Sequence, residues 1–234
     1  MALGSYDANG IWNFGESDNI APFSTTLNKL ATSTSSAITA DRARIATLES
    51  GSLSGLIPIK PTSVTISGGT ATVNDLGVVS WGSGTTTVTL NNVFSANYRN
   101  YRFIHRGNPN TDSNNEVRLR FANGGIPFTT DGWYCGLTGI DYNGTSRNFP
   151  VGNGSSGIIG VQTQIAIGDI FNPFESGYNT WGTIQNIARI SGVGNCFQSG
   201  SYSTTTSRSY DGITIFLSAG SYNSGSLQVF GYND

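Results

Sequence analysis

The chain has 234 residues, a formal net charge of −2 at pH 7 and only 11% charged residues. So weak a charge provides no broad electrostatic attraction for nucleic acid or for an anionic membrane, which excludes both partners. The first residues contain no basic stretch followed by an apolar run, and no segment approaches the ~20 apolar residues of a membrane span. We therefore expect the protein to assemble in a cytoplasm and not to insert into a membrane.

Residues 1–23 are the first predicted segment. Trp12, Phe14 and Phe23 stand among Gly, Asn and Ser residues with no clear helical or strand period. A segment of this composition cannot bury a core of its own. We therefore expect its aromatic side chains to dock on another protein or on the end of a helical bundle.

Residues 24–50 predict a helix, because they include no Gly or Pro and are followed by Gly51. On a seven-residue repeat, two core positions face a partner, and only half of the residues at these positions are apolar. So thin an apolar stripe leaves a lone helix marginal in water, so we predict a coiled coil with identical helices of sister chains, with packing on the chain's own domain as the alternative. The predicted seam residues are Leu27, Ala31, Thr34, Ile38, Asp41, Ile45 and Leu48.

Residues 51–62 predict a short, semi-stiff neck, since Pro58 and Pro61 fix an extended backbone. From residue 63 onward the apolar residues alternate with a period of two, and Gly-, Asn- and Ser-rich turns divide the region into about ten to twelve strands. Because no helical segment separates the strands, residues 63–234 predict an antiparallel β-sandwich of the jelly-roll type. A parallel β-helix is the competing fold, but the chain has no fixed-length repeat.

Several strings at both ends of the chain and in its first strands carry a resemblance: ANGIWNFGESDN, FSTTLNKLATSTSSAI, LIPIKPTSV, LNNVFSANYRNYRF and GSLQVFGYND. Together they resemble bacteriophage minor tail, tail-fibre and receptor-binding proteins. The resemblance implies that residues 1–23, with Trp12, Phe14 and Phe23, attach to the virion. It also implies that residues 24–50 form a trimeric stalk and that the β domain is a knob that binds the host surface. It names no receptor.

Few residues of the chain offer catalytic or metal chemistry. Its one histidine, His105, shares a strand face with Tyr101 and Phe103, and we expect a hydrogen-bonded, partly buried ring. Cys135 and Cys196 are too few for a disulfide framework and are expected to be reduced. With one histidine and two cysteines we predict no metal site and no cofactor.

Two groups of charged residues leave alternatives open. Carboxylate pairs can hydrolyse glycans, and the candidates are Glu116, Asp131 and Asp141, so a glycan-cleaving tail enzyme is an alternative function. Their spacing gives no reason for them to converge, and we predict that the protein is not an enzyme. Arginines alternate on two successive strands, which predicts one outward face for solvent, subunit or anionic receptor contact: Arg102 and Arg106, then Arg118 and Arg120.

Strand reversal predicts where a receptor would bind. If the chain enters from the stalk and every strand reverses, alternate turns meet at the far tip, namely 67–70, 82–84, 107–115, 142–155, 191–195 and 218–225. Loop 142–155 supplies ring faces, amides and a guanidinium, which are groups that a sugar can use. The predicted receptor-binding residues are Tyr142, Asn143, Arg147, Asn148 and Phe149. The alternative is that Tyr142 and Phe149 only anchor the loop.

The sequence therefore predicts a structural virion protein, a homotrimeric tail fibre or receptor-binding protein. Its expected partners are other virion proteins and a saccharide on the host cell surface. A head fibre or decoration protein on the capsid surface is the alternative.

Overall fold

The structure, a computed structural model, divides the chain into two units, Met1–Ser54 and Gly55–Asp234. No helix among the described residues is long and apolar enough to cross a lipid bilayer. The described residues are 5–13, 23–49, 55–110, 115–141, 144, 146–149, 156–161, 163–190 and 194–233.

These residues form one helix, α1 (Phe23–Glu49), and a series of β-strands. In chain order the strands are β1 (Ser5–Tyr6), β2 (Trp12–Asn13), β3 (Gly55–Ile59), β4 (Ser63–Ser67), β5 (Ala71–Val73), β6 (Val79–Trp81), β7 (Thr87–Asn91), β8 (Asn100–Pro109), β9 (Glu116–Asn123), β10 (Ile126–Pro127), β11 (Trp133–Asp141), β12 (Ser146–Phe149), β13 (Gly157–Val161), β14 (Thr163–Phe171), β15 (Asn179–Ile190), β16 (Gly194–Ser207), β17 (Gly212–Leu217) and β18 (Tyr222–Asn233).

Helix α1 forms where the sequence predicts a helix, although it is rich in Ser and Thr. Four of its hydroxyls bond within the helix, those of Thr32, Thr34, Ser36 and Thr39: for example, Thr32 Oγ1 donates to the Asn28 carbonyl at 2.8 Å, and Ser36 Oγ donates to the Thr32 carbonyl at 2.9 Å. Such bonds to the carbonyl one turn back satisfy the hydroxyl groups at only a slight cost to the helix. The hydroxyl groups are therefore compatible with an unbroken helix.

The predicted seam of α1 remains partly uncovered. Leu27 and Ile45 are 40% and 52% exposed, whereas Ile38 is half-buried. The side chain of Leu48 lies outside the described residues. At the other predicted positions, Ala31 is half-buried, and Thr34 and Asp41 are exposed.

Strands β1 and β2 form a hairpin that binds the side of α1. The Asp7 carboxylate closes its turn by accepting the backbone N–H groups of Asn9 at 2.8 Å and Ile11 at 3.0 Å. Asn9 Nδ2 donates to Ser35 Oγ at 2.5 Å, and Arg42 Nη1 donates to Asn9 Oδ1 at 2.9 Å. Residues 5–13 therefore have regular structure that the sequence pattern did not predict.

The second unit consists of two sheets whose strand pairs are all antiparallel within the described residues. The smaller sheet has the order β10-β9-β17-β7-β4, with β13 also on β9. The larger sheet has the order β12-β11-β16-β15-β14-β8-β18-β6-β5, with β3 also on β18. The prediction of a mainly antiparallel β fold is confirmed.

The long strands pair in a nested order. Strand β8 pairs with β18, β9 with β17, β11 with β16, and β14 with β15. The first strand of this set thus meets the last, and each later strand meets the next one inward. Pair β9/β17 belongs to the smaller sheet and the other three pairs to the larger sheet.

Side chains of both sheets contribute to one hydrophobic core. Phe121 of β9 stacks on Trp133 of β11 with ring centroids 5.0 Å apart, and Asn186 Nδ2 of β15 donates to the Ile159 carbonyl of β13 at 2.6 Å. Burying a large apolar side chain contributes roughly 1.5 to 3 kcal/mol. The largest fully buried side chains are Trp133, Tyr101, Tyr210, Tyr222, Phe94, Phe103 and Phe121.

The segment predicted as a neck, 51–62, contains strand β3. Gly55 pairs with Asn233, and Pro58 pairs with Phe230 of β18. Proline is tolerated there because β3 has no further strand on its other side among the described residues. Ile59 packs against the core, so this part of the neck contributes to the larger sheet.

Candidate functional site

The turns predicted to share one tip do so where the structure describes them. Gly82 N donates to the Thr70 carbonyl at 3.2 Å, which joins turn 67–70 to turn 82–84. Thr85 then bridges to Tyr222 at the start of β18, and Tyr222 pairs with Pro109 at the end of β8.

The larger sheet continues this end across its width. Ile165 of β14 pairs with Arg106 near the end of β8 and with Ile187 near the end of β15. Asp141, the last residue of β11, pairs with Cys196 near the start of β16. The strand ends that lead into 107–115, 142–155 and 191–195 are therefore on the same side of the unit.

The chain enters and leaves this unit at the opposite end. Gly55, the first residue of β3, pairs with Asn233 at the end of β18. Gly231 pairs with Tyr101 near the start of β8, about eight residues, or ~26 Å, from Pro109. One end therefore carries both termini of the unit, and the other carries the turns named above.

The predicted receptor-binding residues are described only in part. Ser146–Phe149 forms β12, an edge strand that pairs with Leu137–Ile140 of β11. The backbones of Arg147, Asn148 and Phe149 are thus part of a hairpin rather than of an open loop, which corrects the loop bounds at these positions. Tyr142, Asn143 and the side chains on β12 lie outside the described residues.

The predicted virion-attachment side chains also lie outside the described residues. The backbone of Trp12 belongs to β2, and the backbone of Phe23 begins α1. Phe14 is not described. Docking of these aromatics on a virion protein stays a prediction.

His105 is more deeply buried than predicted. It lies on the inner face of β8 with Tyr101 and Phe103, as the alternation predicts, but it is fully buried, and neither ring nitrogen has a hydrogen-bond partner among the described residues. The rings of Trp81 and Tyr222 have centroids 6.0 Å and 5.9 Å from the imidazole. Burial lowers the pKa of His105 to about 3, so the ring is neutral at neutral pH.

The candidate carboxylates have separate partners. Buried Asp131 accepts a hydrogen bond from Tyr210 Oη at 2.7 Å and pairs with Arg208 at 3.4 Å. Glu116 pairs with Arg118 at 2.6 Å. The side chain of the third candidate, Asp141, is not described.

The cysteine positions are incompatible with a disulfide. Cys135 pairs with Tyr202, and Cys196 is six residues before Tyr202 on the same strand, so the two cysteines are about 20 Å apart. Neither cysteine is in a disulfide. Within the described ranges no three His, Cys, Asp or Glu side chains come together as metal ligands would.

The predicted arginine face is wrong, because β8 and β9 do not pair. Strand β8 lies between β14 and β18 of the larger sheet, whereas β9 belongs to the smaller sheet. On β8, Arg102 donates to both carboxylate oxygens of Asp169, at 2.8 Å and 3.0 Å, and Tyr232 Oη also donates to Asp169. This guanidinium is thus engaged by its own sheet.

The outer face of the larger sheet carries an apolar row that the sequence analysis did not predict. Ile140 pairs with Phe197, Phe197 with Ile187, and Ile187 with Ile165, on four adjacent strands. These side chains are between 42% and 56% exposed. Strands lie about 4.8 Å apart, so the row extends roughly 14 Å across the sheet. We call these four residues the apolar row.

Comparison with known proteins adds no assignment. No protein-family model matches the chain, and no curated protein matches it. The functional interpretation therefore depends on the residues and the geometry described above.

Proposed function

We propose that the protein is a homotrimeric bacteriophage tail-fibre or receptor-binding protein that attaches to a saccharide on the host cell surface. Residues 1–23 dock on the virion, α1 associates with its copies, and the strand unit binds the receptor. The strings that resemble phage tail proteins support this assignment.

The observation that carries the proposal is that the two ends of the strand unit differ. Its termini are at one end, marked by the pair Gly55–Asn233, and alternate turns gather at the other. A knob held by its terminal end presents these turns away from the virion. Turns on a rigid sheet can also vary in sequence without unfolding the core, which suits a receptor-binding end.

The exposed stripe on α1 supports the trimer. The β1–β2 hairpin binds the flank of α1 at Ser35 and Arg42, while Leu27 and Ile45 stay exposed. Each Leu or Ile buried between copies contributes roughly 1.5 to 3 kcal/mol in every chain. Association of α1 with two identical helices therefore stabilises a helix that is marginal alone.

The nested pairing supports a jelly-roll sandwich as the class of the strand unit. A jelly roll is a long hairpin wound onto two sheets, and the pairs β8/β18, β9/β17, β11/β16 and β14/β15 have the corresponding order. The distribution is uneven, because three of the pairs share the larger sheet.

Adsorption competition and particle labelling test this function. Purified trimer should block adsorption of the phage to its host, and antibodies against the strand unit should label the tail tip. Label on the head would favour a capsid fibre. Release of reducing ends from host envelope would favour the glycan-cleaving alternative.

The turn-bearing end has its own test. Tyr142→Ala combined with Arg147→Ala should reduce cell attachment more than tenfold, since each lost ring or charged contact is worth roughly 1 to 3 kcal/mol. The melting temperature and the trimer mass should not change. Arg44→Ala, on the exposed surface of α1, is the control for loss of an arginine. Equal attachment by the double variant and the parent would rule out this part of the end as the receptor contact.

A further inference from the structure

Two arginines beside the apolar row differ from the other described arginines of the strand unit. Arg106 and Arg189 are exposed and have no hydrogen-bond or ion-pair partner within the described part of the chain. The others have partners: Arg99 with Glu175, Arg102 with Asp169, Arg118 with Glu116, Arg208 with Asp131, and Arg120 over the Phe216 ring. The two unpaired guanidinium groups are therefore concentrated at one place.

The unit's own described acidic side chains do not offer a countercharge. Glu116, Asp131, Asp169 and Glu175 are the partners of the arginines just named. Asp75 pairs with Lys60 at 3.1 Å. The remaining one, Asp211, accepts the Gly124 N–H at 2.9 Å. None of these carboxylates engages Arg106 or Arg189, so both guanidinium groups are accessible to an anionic ligand.

The register brings the two arginines to the edge of the apolar row. Arg106 pairs with Ile165 and so extends the row by one strand. Arg189 is the next outward residue after Ile187 on β15, two strands from Arg106, which separates the two backbones by about 10 to 12 Å. Arginine side chains are long enough to reach one anionic group, or two adjacent ones, across this gap.

The neighbouring row supplies polar groups on the same face. Ser199 pairs with Gln185, and Gln185 pairs with Ile167, two residues along the strands from Phe197, Ile187 and Ile165. A hydroxyl and an amide therefore lie next to an exposed aromatic ring and to aliphatic side chains. A sugar ring has the matching surfaces, because its C–H face packs on apolar groups and its hydroxyls bond to polar ones.

We propose that this face binds an acidic saccharide, with its carboxylate or phosphate groups held by Arg106 and Arg189 and its sugar rings on Phe197 and Ile187. The inference rests on the proposed function and names the receptor class as a charged glycan. The site is continuous with the turn-bearing end, since Ile140 of the row pairs with Ser146 of β12.

The test is binding of the full-length protein to an array on which each uronate- or phosphate-bearing saccharide has a neutral counterpart, such as oligogalacturonate and its methyl ester. The parent should bind at least one acidic member at least tenfold more tightly than its counterpart, and binding should weaken as salt is raised. Arg106→Gln with Arg189→Gln should reduce that binding at least tenfold, and Phe197→Ser should reduce it severalfold.

A matched control removes the same charge elsewhere. Lys60→Gln with Arg99→Gln replaces two exposed cations. It removes two surface ion pairs and the hydrogen bond from Arg99 Nε to Asn172 Oδ1, all of them away from the apolar row, so the variant should bind like the parent. Full binding by the Arg106/Arg189 variant overturns the inference, as does a parent that binds only neutral saccharides or none. A fall in trimer mass with any of the three substitutions would instead make the face a subunit interface.

Two outcomes distinguish failure of this inference from failure of the proposed function. If the Arg106/Arg189 variant attaches to host cells normally while Tyr142→Ala with Arg147→Ala does not, the receptor role stands and this face is excluded from it. If the parent binds acidic saccharides but does not block phage adsorption, the site stands and the tail-fibre role does not.

Discussion

Lowering the pH from 7.5 to 5 should destabilise the strand unit through His105. The folded protein holds this ring neutral, with its pKa lowered from 6.5 to about 3 by burial, whereas the unfolded chain binds a proton near pH 6.5. Below pH 6.5 the unfolded state therefore takes up more protons, and stability is lost as the pH falls toward the folded pKa. The loss approaches 1.4 kcal/mol per pH unit and amounts to about 2 kcal/mol at pH 5.

The sequence makes this effect assignable, because His105 is the chain's one histidine. Carboxylates act at lower pH: burial raises the pKa of Asp169, but hydrogen bonds from Arg102 and Tyr232 outweigh it and the net shift is downward. Such groups lose their stabilisation below about pH 4. The interval from pH 6.5 to 5 therefore reports on the imidazole.

The assay is urea unfolding of the full-length protein at several pH values, followed by tryptophan fluorescence. Trp81 is a local reporter, since it stacks on the imidazole. His105→Phe replaces the titrating group with an apolar ring, and His105→Gln replaces it with a neutral amide. Each variant should make the unfolding free energy nearly independent of pH between 7.5 and 5. A parent with no slope in this interval, or variants that keep the slope, would refute the reasoning.

Three further predictions concern the helix, the N-terminal segment and the glycine positions. Ile38→Asp with Ile45→Asp should weaken the trimer, because burying unpaired charges costs several kcal/mol, and light scattering should then give less than three times 24.7 kDa. Deleting residues 1–22 should leave a trimer that no longer enters particles, and normal incorporation would mean that attachment lies elsewhere. Gly182→Ala should destabilise by about 1 to 3 kcal/mol, because the added methyl group would clash with the Asp169 backbone carbonyl and the Tyr202 side chain. Gly136→Ala has open space and should be within about 0.5 kcal/mol of the parent in urea unfolding.

Local features of the fold could be predicted from the sequence. The absence of Gly and Pro predicts α1, and the period of two predicts antiparallel strands from residue 63, because both signals depend on neighbouring residues. The gathering of alternate turns follows from strand reversal alone. These features need no knowledge of which strands pair.

Pairing between distant strands could not be predicted in the same way. We expected β8 and β9 to pair because they are consecutive, which is the common case. Instead, Arg102 of β8 meets Asp169 of β14, 67 residues later in the chain. The nested order of β8, β9, β11 and β14 with later strands depends on contacts that alternation does not encode. The incorrect arginine face followed from that assumption.

The apolar row shows a second limit, because alternation groups residues by face but does not say which face is buried. In the first part of β14 the buried face carries Ala166 and Gly168, and the bulky Ile165 and Ile167 point outward, whereas Ile170 later in the strand is buried. The small residues are inside because aromatic rings of neighbouring strands occupy their space, as Phe103 does at Gly168. Packing of a ring over a cross-strand glycine fills the core without a side chain from that strand. The same arrangement recurs at the cross-strand pairs Gly182–Tyr202 and Gly225–Trp81. Rings from outside the paired strands fill the space at Gly157 and Gly231, which are covered by Trp133 and Tyr98. The alternation of Ile165 and Ile167 with the small residues Ala166 and Gly168 therefore indicates that these isoleucines face outward, and it is the signal that would have identified Ile165 as a surface residue.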